Sequence, residues 1–190
     1  MSETSTIDRD SLIGQLDRHL DWIKSCDTKS SIVLAVVGIF LTVFTSQHSI
    51  VMLNDILTKA MKNINFSNLF YLLLFSVSWC IFLHGAYCLI RVLIPRLSKE
   101  AFTIDGIHTD SLYFFESIAN NTFSDYKEKV YSRKEEDELN DILSQIFVNA
   151  KICTIKFSYY SNGIKFTFIG ISGVLILYII GIILVKSGGF

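Results

Sequence analysis

Three stretches of this chain run for close to 20 residues without a charged side chain, about what an α-helix rising 1.5 Å per residue needs to cross a bilayer. The first extends from Ser30 to Gln47. The second lies in the uncharged run Asn63 to Ile90, between Lys62 and Arg91, with Leu69 to Leu89 at its centre. The third fills the interval between Lys165 and Lys186. Backbone polar groups in hydrocarbon must bond within their own segment, so such runs are helices. Composition agrees: 51% of the residues are hydrophobic, 18% are charged, one of 190 is proline and mean hydropathy is +0.43, too apolar for a soluble domain of this size. The first apolar run begins near residue 31 behind an acidic, amphipathic segment, which does not fit a secretory signal peptide.

Lys and Arg are distributed unevenly between the spans. Residues 1–29 carry four, the first loop two, the stretch from Arg91 to Lys165 ten and the tail Lys186 alone. The positive-inside rule therefore predicts a cytoplasmic N-terminus and second loop. The expected layout is a cytosolic amphipathic helix over 1–29, spans over 30–47, 67–90 and 165–186, an external loop over 48–66, a cytosolic helical segment over 91–164 and an external tail over 187–190. In the external loop, Ile50, Leu53, Ile56, Leu57 and Met61 fit either an amphipathic helix on the outer interface or a plain apolar connector.

Helical signals dominate the polar segments. Leu12, Leu16, Leu20 and Ile23 form one stripe, with Ser5 and Asp8 as a capping box ahead of it, and the helix is expected to run unbroken through Asp27 into the first span. Ser132 and Glu135 suggest a cap for a second long helix. Its Leu139, Leu143, Ile146, Ala150, Cys153 and Phe157 alternate steps of four and three, a bundle or coiled-coil seam leading into the third span. Between them, SLYFFESIANN reads as a short aromatic helix and SDYKEKVYS as another, opened by Ser124. No alternating strand pattern competes, so the fold class is an all-α membrane protein with three transmembrane helices and a helical cytosolic layer.

Within the membrane, Ala35, Gly38, Thr42 and Thr45 make a small-residue seam on the first span, and Gly170, Gly173 and Gly181 offer close-approach points on the third. Ser76, Cys80, His84 and Cys88 place polar and small side chains on one face of the second. Two readings are open for His84: an interhelical or headgroup hydrogen bond, or a pore or proton role. The four cysteines read as small hydrophobes, since none lies where a disulfide would persist and no metal-ligand spacing occurs. No phosphate loop, HExxH or nucleophile motif is present, so neither an enzyme nor a metal or other cofactor is expected.

The block WIKSCDTKSSIVLAVVGIF, from Trp22 to Phe40, resembles the start of the Pycsar transmembrane effectors, whose first span also follows an Asp-Thr-Lys and small residues. LYFFESI (Leu112 to Ile118), Tyr126 among charged residues, and ILSQIFVNAKICTIKF (Ile142 to Phe157) with Gln145, Asn149 and Lys156 are similar to the family too. The resemblance covers nearly the whole chain, its specificity lying in the arrangement of short motifs around three spans. Cys26 and Ser30 stand where the family carries alanines.

The resemblance implies a bacterial antiphage effector of the inner membrane, partnered with a cyclase that makes cyclic UMP or cyclic CMP upon infection. The effector would sense this messenger and impair the membrane, stopping growth. A mononucleotide needs a cation or helix N-terminus for phosphate and an aromatic face or amide for base. Lys29, Tyr113, Phe114, Tyr126, Asn149 and Lys156 supply such chemistry, or the aromatics are simply core. Asp27 and Lys29, just ahead of the first span, are either a solvated charge pair at the headgroups or a joint in which Asp27 faces Lys156 or Lys165. Three spans are too few to enclose a wide path, so a homo-oligomer in the lipid bilayer is expected. No nucleic-acid polymer is expected as a partner. The competing function is a constitutive small channel or structural subunit that senses nothing.

Overall fold

A computed structural model describes residues 8–62, 64–94 and 110–190, and every regular element among them is an α-helix. They are α1 (Arg9–Phe44), α2 (Gln47–Lys62), α3 (Phe66–Leu93), α4 (Phe115–Ala119), α5 (Phe123–Ser132) and α6 (Glu135–Ser187). Three of them, α1, α3 and α6, are long and apolar enough to cross a membrane. The chain is thus an all-α membrane protein. It divides into two compact units. Unit 1 holds Met1–Ser25 with Pro95–Lys156, and unit 2 holds Cys26–Ile94 with Phe157–Phe190.

The α1 helix is unbroken through Asp27, as its sequence predicts. Ser5, one half of the expected capping box, lies outside the described residues. The other half, Asp8, caps by itself: its Oδ1 accepts from the Asp10 amide at 3.3 Å. Burial on α1 follows Leu12, Leu16, Cys26, Ser30, Val37 and Phe44, with His19 and Ile23 half-buried at the same spacing. Leu20, expected on this stripe, is exposed, and His19 takes its place. A step from 16 to 19 to 23 keeps one face in register at about 3.5 residues per turn, whereas 20 has rotated off it.

Unit 2 packs the C-terminal part of α1, α2, α3 and the C-terminal part of α6. Helix association in lipid depends on close contact rather than on expelling water, so small residues lie where backbones meet. Gly170 of α6 faces the backbone of Phe82 on α3. Reciprocally, Gly85 of α3 faces the Thr167 backbone on α6. Above this crossing, Phe44, Phe75 and Val174 form a buried cluster with Phe40, Leu53, Trp79, Leu177 and Tyr178 around it. Phe44 meets Trp79 and Tyr178 edge-on, each at 5.3 Å between centroids, and such pairs add about 0.5–1.5 kcal/mol each beyond area burial. Tyr71 on α3 donates to the Leu177 carbonyl of α6 at 2.9 Å. The segment between the first two spans is helical, with Ile56 and Ala60 of α2 buried. The first span's helix ends at Phe44, where Ser49 Oγ donates to the Val43 carbonyl at 3.2 Å and a turn at 45–46 starts α2.

In unit 1 two caps differ from expectation. Thr122 rather than Ser124 opens α5: its hydroxyl accepts from the Asp125 amide at 3.2 Å and donates to the Asp125 carboxylate at 2.8 Å. Ser132 does not cap α6, because it is the last residue of α5 and its hydroxyl donates back to the Lys129 carbonyl. The Lys134 amide instead donates to Asp137, and four acids fill the first turn of α6, where they favour the positive end of the helix dipole.

The face that α6 buries in unit 1 is also a finding. Residues on an α-helix are set about 100° apart, which puts the stripe Leu139, Leu143, Ile146, Ala150, Cys153 opposite Asp141, Gln145, Val148, Ile152 and Lys156. The second set is the more buried: Asp141 is fully buried, as is Ile142, and Gln145, Val148 and Lys156 are nearly so, while Leu143 is 40% exposed. Within unit 1 the apolar stripe is therefore not the face turned inward.

Candidate functional site

The polar core of unit 1 is built around Asp141. Its Oδ2 accepts from the Leu112 amide at 2.9 Å and from Arg133 Nη2 at 2.5 Å, and its Oδ1 is buried with no partner among the described residues. Arg133 directly follows α5 in extended conformation, so the end of that helix hands the guanidinium to Asp141 in the second turn of α6. The guanidinium also lies over the Tyr113 ring, 5.4 Å from its centroid. Tyr113 donates from its hydroxyl to Glu138 Oε1 at 2.8 Å, and Arg9 at the start of α1 donates from Nε to the same oxygen, also at 2.8 Å. One chain of contacts thus joins the first turn of α1, the 111–114 segment, the end of α5 and the opening of α6.

This geometry shifts three groups. The Tyr113 and Arg9 hydrogen bonds hold the Glu138 carboxyl below its ordinary range. Glu138 in turn raises Arg9. Burial, followed by the bond to Glu138, raises the Tyr113 hydroxyl. At neutral pH Glu138 and Arg9 are therefore ionised and Tyr113 is neutral.

Beside it opens a cavity of about 300 Å³ lined by Asp110, Leu112, Lys129, Ser132, Arg133 and Asp137. Lys129 and Arg133 are four residues apart, one helical turn, which brings both cations to the same end of α5. Lys129 donates to Asp110 and, at 2.7 Å, to Asn121 Oδ1. The lining is cationic and anionic in equal number and carries hydroxyl and backbone groups besides. It suits a small polar ligand bearing an anionic group. Among the described residues no group of His, Cys, Asp and Glu is placed to hold a metal ion.

Of the residues singled out from sequence, Tyr113 adjoins this cavity through Arg133. Phe114 stacks obliquely on Phe115 at 4.9 Å between centroids. Tyr126 is half-buried on α5, and Asn149 Nδ2 donates to the Gln145 carbonyl of its own helix. Lys156 is buried on α6. None of these five lines the cavity. Asp27 and Lys29 belong to unit 2, where Lys29 is exposed and the Asp27 carbonyl accepts from Ser31 Oγ at 2.9 Å. The sequence does not single out Lys129, Arg133 and Asp141: two cations at i, i+4 are equally what a solvated helix face carries.

In unit 2 the polar residues of α3 divide. Cys88 is buried and within 3.7 Å of His84 Nε2, whereas Ser76, Cys80 and His84 are exposed. Ala35, Gly38, Thr42 and Thr45 are all exposed, nothing lies within 4 Å of where a Gly38 side chain would begin, and both threonine hydroxyls bond carbonyls of their own helix. Gly170, Gly173 and Gly181 are occupied within the chain, facing Phe82, Ser78, and Tyr71 with Ile56. Gly85 and Gly163, not singled out from sequence, make equally close approaches, the latter to Leu89. The four cysteines are free thiols.

The sequence profile of the Pycsar effector protein domain matches residues 12–185. Pycsar effector protein GmPycTM of Gulbenkiania mobilis is 31% identical over 165 residues, covering 83% of this chain and 84% of that protein. No solved structure matches the chain. The match takes in all three spans together with the described helices of unit 1, and the chain belongs to the Pycsar effector family.

Proposed function

We propose that this protein is the membrane effector of a bacterial antiphage system, switched on by a cyclic mononucleotide, cyclic UMP or cyclic CMP, from a partner cyclase. Unit 1 lies in the cytoplasm and senses the messenger. Unit 2 sits in the inner membrane and, as a homo-oligomer, impairs its integrity until growth stops. The observation that carries this reading is the continuity of α1 and α6: each starts in the polar network of unit 1 and runs without interruption into an apolar span. A ligand that favours one arrangement of their polar ends over another biases the same helices in the membrane. The excess of Lys and Arg in and around unit 1 supports its cytoplasmic side.

Self-association is supported by the surfaces the protomer leaves open. Ala35, Gly38 and Thr42 offer a seam that another helix can approach closely, and Ser76, Cys80 and His84 present polar groups to surroundings where lipid would be costly. On the Leu139-to-Phe157 stripe of α6, Leu143 and Phe157 are exposed as well. Catalysis plays no part in this account.

The test is cyclase dependence. Expression of the protein alone should leave cells growing; expression with a cyclic UMP or cyclic CMP cyclase should depolarise the membrane and arrest growth. Equal toxicity with an inactive cyclase would favour a constitutive channel.

A further inference from the structure

We infer that the cavity between Asp110, Lys129, Ser132, Arg133 and Asp137 is where the messenger's cyclic phosphate binds, a site that rests on the sensing role proposed above. Lys129 and Arg133 are the cations lining it, and both are already positioned: Lys129 between Asp110 and Asn121, Arg133 by Asp141 on one side and the Tyr113 ring on the other. Arg133 is also largely shielded, its side chain 16% exposed. A guanidinium has five N–H donors, so one bond to Asp141 leaves others able to meet phosphate oxygens.

Charge and size select the ligand. Two cations and two carboxylates line the cavity, so each further negative charge on a ligand adds repulsion from Asp110 and Asp137, and a singly charged phosphate meets less of it than a triphosphate or a dianionic linear monophosphate. A cyclic phosphodiester carries one negative charge. It also carries ribose hydroxyl and base N–H donors, which the same carboxylates accept. At about 300 Å³ the space is at the lower limit of the roughly 300–1,000 Å³ typical of small-molecule sites, room for one nucleotide rather than for a cyclic dinucleotide.

The site also has a route to the membrane. Arg133 and Asp137 line the cavity while Arg133 holds Asp141, so a phosphate that draws the guanidinium changes the pairing at the first buried position of α6. Through Tyr113 and Glu138 the same guanidinium is linked to Arg9 on α1.

The experiment uses the full chain in lipid nanodiscs and isothermal titration with cyclic UMP, cyclic CMP, linear UMP and a cyclic dinucleotide. Two variants alter the cavity differently: Lys129→Gln removes a charge, and Ser132→Phe fills space with charge unchanged. Lys127→Gln is the control, the same change on the same helix at a side chain that lies over Tyr131 and does not line the cavity. Loss of a charge-assisted hydrogen bond should weaken cyclic nucleotide binding by about tenfold or more in Lys129→Gln, with less than about twofold in Lys127→Gln. Ser132→Phe should weaken it comparably. Wild-type affinity in both cavity variants, or tighter binding of the dinucleotide than of the mononucleotides, would overturn the site while leaving the sensing role standing. Absence of binding of either cyclic mononucleotide to the wild-type protein would remove both.

Discussion

Along α6 the buried positions are Asp141, Ile142, Ser144, Gln145, Val148 and Lys156 in unit 1, and Gly163, Thr167, Gly170, Val174 and Gly181 in unit 2. Both sets hold to one side of the helix, but the chemistry differs. Lipid is as apolar as any side chain, so unit 2 gains from bringing backbones together, and glycine is the residue that allows it. Unit 1 instead buries a carboxylate whose Oδ2 accepts from Arg133 and from the Leu112 amide, which ties the segments before α4 and after α5 to α6. A single helix is thus read by close approach at one end and by hydrogen-bond pairing at the other. Of the two, pairing is the kind of contact a charged ligand can rearrange.

That contrast breaks first at Asp141. Asp141→Ala leaves Arg133 and the Leu112 amide without their acceptor, and removing one partner of a buried pair costs about 3–5 kcal/mol. Loss of unit 1 structure should show as loss of amide-exchange protection over α4 and α5 with unit 2 still protected.

Close approach in unit 2 is tested by Gly170→Leu, whose side chain would meet the Phe82 backbone, which cannot turn aside. Overpacking of this kind costs about 3 kcal/mol, seen as a lower unfolding midpoint in detergent. Gly38→Leu adds the same atoms in open space and should leave that midpoint unchanged; if the Ala35–Gly38–Thr42 seam mediates assembly, it should reduce oligomer size.

A smaller effect sharpens the comparison. Thr167 Oγ1 is buried in unit 2 with no hydrogen-bond partner among the described residues, and an orphaned buried hydroxyl costs about 1–3 kcal/mol. Thr167→Val should therefore raise stability by about 1 kcal/mol, the opposite sign to Asp141→Ala.

The smallest effect is in acid. Because the Glu138 pKa is lowered by folding, its contribution is present above its ordinary value of 4.5 and is lost as pH falls through the lower folded value. Wild-type protein should lose stability below about pH 4.5 more steeply than Glu138→Gln, as followed by thermal midpoint across a pH series.

Much of this architecture is legible in the residues themselves. Uncharged length marks the three spans, and the helical stripe that starts at Leu12 reads as running on through Asp27 into the first of them, as α1 does. Faces were harder to read. Leu139, Leu143, Ile146, Ala150 and Cys153 satisfy a heptad, and an apolar heptad reads as the inward face. The inward face in unit 1 is the one bearing Asp141 and Lys156, and for Asp141 the Leu112 amide, 29 residues away, and Arg133, across the turn after α5, supply the partners that make burial tolerable. Leu20 likewise reads as inward on its apolar character, yet His19, one position earlier, takes the half-buried place. The site was least legible. Lys129 and Arg133 look like solvated surface cations until the turn after α5 brings them beside Asp110 and Asp141, and no local pattern announces that juxtaposition.

The central claim, that a ligand acting on unit 1 changes what unit 2 does to a membrane, is tested most directly with pure protein in liposomes holding a self-quenched dye. The account predicts that cyclic UMP or cyclic CMP raises dye release by about tenfold or more over the rate without nucleotide, a population shift of roughly 1.4 kcal/mol. Dye release at the same rate with and without either nucleotide would contradict it.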